Sequence, residues 1–216
     1  MAEAATRAQA RWTRPPACPT LRQTRQRTHP MPDLPTRATR AAAEIAQAAA
    51  AIDPAAFDRL VEALATARRI AITGAGREGL MMRALAMRLY HLGLDVHVVG
   101  DMTCPPLGPG DLLFVSAGPG DLSTITALVT TARAAGADTL CLTAQPSGPT
   151  ARAATQTVHL PAQTMASDQG TTPSILPMGS VFEGAMFLIF ELVVLALCDR
   201  LGTSAAGMRA RHTNLE

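Results

Sequence analysis

A chain of 216 residues has room for one α/β domain of ordinary size with a well-buried core. Hydrophobic residues make up 48% and aromatics only 3%, so the core is aliphatic and a base-stacking platform for single-stranded nucleic acid is excluded. The net charge of +2 is uneven: residues 1–40 carry 8 Arg against Glu3 and Asp33, the rest 11 Arg against 15 acids, so the folded body is mildly acidic and unlike a polyanion binder.

Residues 1–40 are rich in Arg, Pro and Thr and lack apolar periodicity, which predicts a disordered basic extension ahead of a domain at 41–216. The extension reads either as a basic arm or transit segment, or as an over-called start with Met31 the true first residue. From Ala41 to Arg68 the pattern is helical, with a second start where Asp53 caps and Pro54 takes the first position.

Short apolar runs then alternate with helical stretches. Strands are predicted at 69–73, 95–99, 111–116, 138–143 and 157–161, with helices after 74, over 122–135 and near Thr150. The fold class is therefore α/β: a five-stranded parallel sheet flanked by helices in three Rossmann-like layers. A long loop over 162–177 leads to an apolar helix at 180–200, and a last helix ends near His212.

Four cysteines (Cys18, Cys104, Cys141, Cys198) form no CxxC pair and fit free thiols in a reducing cytoplasm. The apolar run Val181 to Cys198 is broken by Glu183 and Glu191, and reads as a buried helix, not a membrane span. Lysine is absent, which removes Schiff-base chemistry. Five scattered histidines have no metal spacing, and no G-x-S-x-G elbow supports a serine hydrolase. Cys104, in the loop TCPP, reads as an unreactive thiol.

The loop GAGREG at 74–79 follows a strand, opens a helix and satisfies G-x-G-x-x-G, the context in which backbone N–H groups hold a pyrophosphate. A nicotinamide-dependent oxidoreductase is thus a competitor, with Asp101 as the candidate ribose ligand. A lone fingerprint is a weak signal, and Asp101 lies beyond the expected offset of about 20 residues.

Five segments in order carry more information: GAGREG (74–79), AMRLYHLGLDVHVVGD (86–101), GPGDLL (108–113), PMGSVFE (177–183) and RHTNLE (211–216). With them the chain resembles the 6-phospho-3-hexuloisomerases of the sugar-isomerase (SIS) superfamily over about Ala41 to Glu216. The resemblance implies a single SIS domain and an aldose–ketose isomerase working through an enediolate, with neither metal nor cofactor. It also implies a cytoplasmic homodimer or homotetramer with shared active sites, binding neither nucleic acid nor membrane. An alternative from another class is a catalytically silent sugar-binding or regulatory SIS module.

Carried over by position, the resemblance makes Glu183 the base and His212 a ring-opening or proton-shuttling group. It places Gly74, Gly76, Arg77, Glu78, His91, Thr103, Ala117, Gly118, Gly120, Asp121 and Ser123 around the substrate. The other reading of Glu183 is a carboxylate favoured by the helix dipole, against which the whole PMGSVFE context supports function; His91 could equally be a helix C-terminal cation. The phosphate seat departs from the family pattern. A serine after GAGR is replaced by Glu78, and, aligned without a gap, S-G-S-G-E-T after the third strand by Ala117, Gly118, Pro119, Gly120, Asp121 and Leu122; a shifted register recovers Ser116, or Ser123 and Thr124, but not the whole motif.

A carboxylate beside a phosphate repels it by several kcal/mol at an effective dielectric of ~20. Three arrangements would relieve this. Glu78 points outward, or pairs with Arg77 or Arg83, or the substrate carries no phosphate there. The sequence favours retained isomerase chemistry with an altered substrate handle.

Overall fold

The computed structural model describes residues 33–168 and 174–215. The predicted disordered segment 1–32 and the terminal Glu216 of RHTNLE lie outside the described residues. The rest of the predicted extension is corrected. Residues 34–40 form the first two turns of helix α1 (Leu34–Ala50), where Asp33 accepts a hydrogen bond from the Thr36 N–H at 3.0 Å and Pro35 fits the first turn. Asp53 starts α2 (Pro54–Thr66) in the same way, accepting from the N–H groups of Ala55 and Ala56.

The remaining elements are β1 (Ile70–Gly74), α3 (Gly76–Leu92), β2 (Val96–Val98), β3 (Leu112–Ser116) and α4 (Ser123–Ala134). They continue with β4 (Asp138–Thr143), α5 (Pro149–Ala153), β5 (Gln156–His159), α6 (Ser180–Leu201) and α7 (Ala205–Ala210). The five strands pair in parallel in the order β2-β1-β3-β4-β5, as the alternating runs predicted.

Successive strand residues face opposite layers. Ile70, Ile72, Leu112, Phe114, Leu140 and Leu142 pack against α1, α2, α3 and α6, whereas Ala71, Leu113, Val115 and Cys141 pack against α4 and α5. Helix α6 has the length and apolarity to cross a membrane, with a mean hydropathy of 2.3 in its most apolar window, and half of that window is buried inside the fold. Phe182, Met186, Ile189, Phe190 and Val193 supply that buried side. It is a core helix, as the sequence indicated.

The register that aligns Gly74 with Ser116 brings the ends of β1 and β3 side by side. Helix α3 starts immediately beyond β1 because glycines let it pack close: a Cβ on Gly79 would stand 2.5 Å from the Gly74 carbonyl oxygen. Gly76 adopts φ +55°, the left-handed conformation that glycine reaches without a steric penalty. Packing thus accounts for the spacing of GAGREG, and Asp101, the acid a dinucleotide would need, pairs with Arg83 at 3.4 Å.

Candidate active site

A pocket of about 280 Å³ opens at the carboxyl ends of β1 and β3, where ligands of open α/β sheets bind. Arg77, Glu78, Pro119, Met165, Met178 and Glu183 line it, together with backbone at Ala75, Gly76 and Gly179 and the side chain of Leu122. Larger depressions elsewhere, between α1 and the loop after β5 for example, do not contain this pair of carboxylates.

Glu183 lies in the first turn of α6, its N–H donating to the Gly179 carbonyl at 3.0 Å. The preceding loop is pinned at several points. The Phe182 N–H donates to the Gln163 carbonyl, and the Met178 N–H to the Asp168 carboxylate at 2.6 Å. Met178 holds φ 57°, a conformation a non-glycine side chain disfavours by about 1 kcal/mol, directly beside the pocket.

Only 13% of the Glu183 side chain is exposed. Arg77 Nε approaches Glu183 Oε2 at 3.0 Å, close enough for an ion pair. Its N–H does not lie along the hydrogen-bond direction, and Oε2 is buried without a hydrogen-bond donor. A sheltered acceptor oxygen whose one partner here is the ion-paired, largely exposed Arg77 can receive a proton from a ligand. Arg77 also donates to Ser180 Oγ at 3.2 Å, which bridges the starts of α3 and α6.

Glu78 corrects two of the expected escapes. It points into the fold, and neither arginine neutralises it, since Arg77 faces Glu183 and Arg83 faces Asp101. Glu78 Oε2 instead accepts from Ser116 Oγ at 2.6 Å and from the Gly118 N–H at 2.9 Å. Burial pushes its carboxyl above the ordinary value of 4.5; the Ser116 and Gly118 hydrogen bonds oppose that, and the charge of Glu183 adds to it. The neighbouring Cys141 thiol is pushed up to about 12 by burial and by Glu78, in keeping with an inert thiol. Burial likewise raises the Cys104 thiol.

A raised carboxyl means that ionising Glu78 costs the folded state. The stability it contributes is complete below pH 4.5 and is lost as pH rises through its folded-state value. Glu78→Gln retains an acceptor for both donors and removes the charge. The variant is expected to be more stable than the wild type at pH 8, the difference closing below about pH 4.5. Urea unfolding across that range checks this; a difference independent of pH would contradict it.

The other expected site residues are not all gathered here. Ala117 is buried in the layer under α4, and its N–H bonds the Leu142 carbonyl, so it is a core residue with nothing to offer a ligand. Gly120 is buried at φ +84°, its Cα side filled by Gln145. Gly74 abuts Gly79 behind the pocket, while Asp121 and Ser123 are exposed beyond its rim. Thr103 lies in a turn facing a different depression, formed by Arg83, Met87, Tyr90 and His97 at the β2 edge.

His91 is 5% exposed in the last turn of α3. His212 is exposed beyond α7, with its ring centroid 5.2 Å from that of His91. Arg77 and His91 are separated by 14 positions of α3, about 21 Å at 1.5 Å per residue. Within one chain Glu183 and His212 therefore belong to opposite ends of the same helix pair. Arg211 fixes the far end, donating to the His91 carbonyl at 3.2 Å and packing over Gly93.

What the sequence reading missed is the Ser116–Glu78 contact. The serine was visible at a strand end, and only the register of β1 with β3 brings it to the carboxylate.

A five-stranded parallel sheet with helix starts gathered around a pocket at its carboxyl edge is the architecture of a sugar-isomerase domain, and the SIS domain family model matches residues 63–187. Within that class, the chain belongs to the family of the 3-hexulose-6-phosphate isomerases. The Mycobacterium gastri 3-hexulose-6-phosphate isomerase is 38% identical over 173 residues, covering 80% of this chain and 86% of that protein. The Bacillus subtilis (strain 168) enzyme of the same name is 32% identical over 173 residues, covering 80% of this chain and 94% of its own. A Methanococcus jannaschii protein, whose crystal structure infers a molecular function of 3-hexulose-6-phosphate isomerase, is 25% identical. It superposes with a TM-score of 0.73 over 84% of this chain and 99% of that one.

Proposed function

We propose that the chain is an aldose–ketose isomerase that moves a sugar carbonyl to the adjacent carbon through an enediolate, with Glu183 as the base. The observation that carries this reading is Glu183 Oε2, buried at the pocket wall with no hydrogen-bond donor of its own. Its carboxylate takes the proton from the carbon beside the carbonyl. The C–H electron pair becomes the carbon–carbon double bond, and the carbonyl π pair moves onto oxygen. Returning the proton to the former carbonyl carbon, while the hydroxyl proton passes between the two oxygens, completes the transfer. The family membership and the names of the two bacterial relatives support the same class of reaction.

Because Glu183 and His212 lie at opposite ends of α3 and α6, a site using both needs His212 from a second copy. Exposed apolar side chains on these helices, Met87 and Tyr90 on α3 and Phe187 and Leu195 on α6, favour such a homo-oligomer. Light scattering is expected to give a mass above that of one chain. A monomer at working concentration that is fully active would remove His212 from the chemistry.

Proton NMR in heavy water with free and phosphorylated ketoses tests the activity. Deuterium entering the carbon beside the carbonyl is the expected result. A folded protein that exchanges no proton of any sugar would leave a binding module.

A further inference from the structure

Between Ala117 and Gly120 the loop after β3 has few donors to give a ligand. The Ala117 N–H bonds the Leu142 carbonyl and the Gly120 N–H the Ala117 carbonyl, both at 2.9 Å. The Leu122 N–H is directed at Thr150 Oγ1, and Pro119 has no N–H. The Gly118 N–H and the Ser116 hydroxyl, at the carboxyl edge of the sheet beside the start of α3, are two donors an anion could use there, and both end on Glu78 Oε2. The fit is close: a Cβ on Gly118 would stand 2.7 Å from Glu78 Oε1 and 2.9 Å from the Phe182 ring. The chain has placed a carboxylate of its own where a ligand anion would sit.

The pocket wall offers no compensation. Its charged side chains are Arg77, Glu78 and Glu183, and the single arginine faces Glu183 and Ser180. A phosphate monoester entering here meets two carboxylates, one of which already holds the Ser116 and Gly118 donors.

We propose that Glu78 is a resident anion that closes this seat to phosphate and sets the specificity of the site for an unphosphorylated ketose, whose hydroxyls bond the free faces of the two carboxylates. The inference rests on the isomerase reading of the pocket. Glu78 is a specificity determinant in it, and Glu183 carries the chemistry. A carboxylate accepts from sugar hydroxyls through the lone pairs that Ser116 and Gly118 leave free, and hydroxyls bring no charge for it to repel.

The test compares one ketohexose with its own 6-phosphate, and adds inorganic phosphate as a probe, in the wild type, Glu78→Ser and Glu78→Gln. In the wild type, the free sugar is expected to have the higher kcat/KM, and millimolar inorganic phosphate to be no inhibitor. Glu78→Ser frees both donors and supplies a third, its own hydroxyl. It is expected to raise kcat/KM for the phosphate ester by roughly ten-fold or more, and to make inorganic phosphate a competitive inhibitor. Glu78→Gln, nearly isosteric, removes only the repulsion and gives a smaller gain. It carries the test if the serine variant does not fold.

A wild type that prefers the phosphate ester overturns the proposal, as does an unchanged response to phosphate in both variants. Calorimetric binding of inorganic phosphate separates this from failure of the isomerase reading. If no sugar turns over, phosphate binding gained on substitution still upholds Glu78 as the closed seat, and binding that is the same with and without Glu78 sinks it.

Discussion

Replacing Glu183 with Gln is expected to leave a folded protein whose rate of deuterium incorporation falls by about 10²–10⁴-fold, the usual worth of a positioned general base. The amide keeps the shape of the side chain and its place in the first turn of α6, but has no lone pair basic enough to take a carbon-bound proton. Arg77, with 65% of its side chain exposed, loses its partner at little cost because water replaces it. The loss should therefore fall on kcat, with sugar affinity measured by calorimetry nearly unchanged. Glu183→Asp, one methylene shorter, should retain part of the rate. Full activity in Glu183→Gln would transfer the base to the second carboxylate of the pocket, Glu78.

Phe182→Ala should give the largest loss of stability, about 3–5 kcal/mol, a sizeable part of what a domain of this size possesses. Phe182 is 1% exposed in the first turn of α6. Its ring covers the Cα of Gly118, and its N–H donates to the Gln163 carbonyl. Removing the ring opens a void between α6 and the end of β3, immediately behind the Glu78 carboxylate. Urea unfolding measures the loss, and Phe182→Leu should restore most of it by refilling the space. A loss below about 1 kcal/mol would show that the loop and α6 collapse onto each other without the ring.

The sheet was legible because its signal is local. The central strands β1, β3 and β4 are short, largely apolar runs, buried on both faces because both are covered. The core helix α6 was legible from Glu183 and Glu191, whose spacing leaves a continuous apolar side for Phe182, Met186, Ile189 and Val193.

The start of α1 was missed although Asp33-Leu34-Pro35 is the same kind of signal as Asp53-Pro54. The exposed Thr and Arg residues of its first two turns hid the periodicity. In the site, Glu183 stood out through the segment around it, while the role of Glu78 could not. Its donors are 38 and 40 residues away, and only the pairing of β1 with β3 brings them within reach. The distance between Glu183 and His212 in one chain was illegible for a related reason: neighbouring segments in a motif order carry no distances, and a 17-residue helix separates the two ends.

Helix α1 holds more than the core. Glu44, paired with Arg40 one turn earlier, accepts a hydrogen bond from Ser174 Oγ at 2.6 Å and another from the Ile175 N–H at 3.3 Å. Those two residues begin the stretch that runs through Met178 to Glu183, so the opening helix acts as an anchor post for the strand of chain that presents the base. The serine hydroxyl keeps the Glu44 carboxyl below its usual range, which leaves the anchor fastened through mildly acidic conditions. Changes made in α1, more than 130 positions before Glu183, therefore propagate to the pocket entrance along a covalent tether of only nine residues, from Ile175 to Glu183.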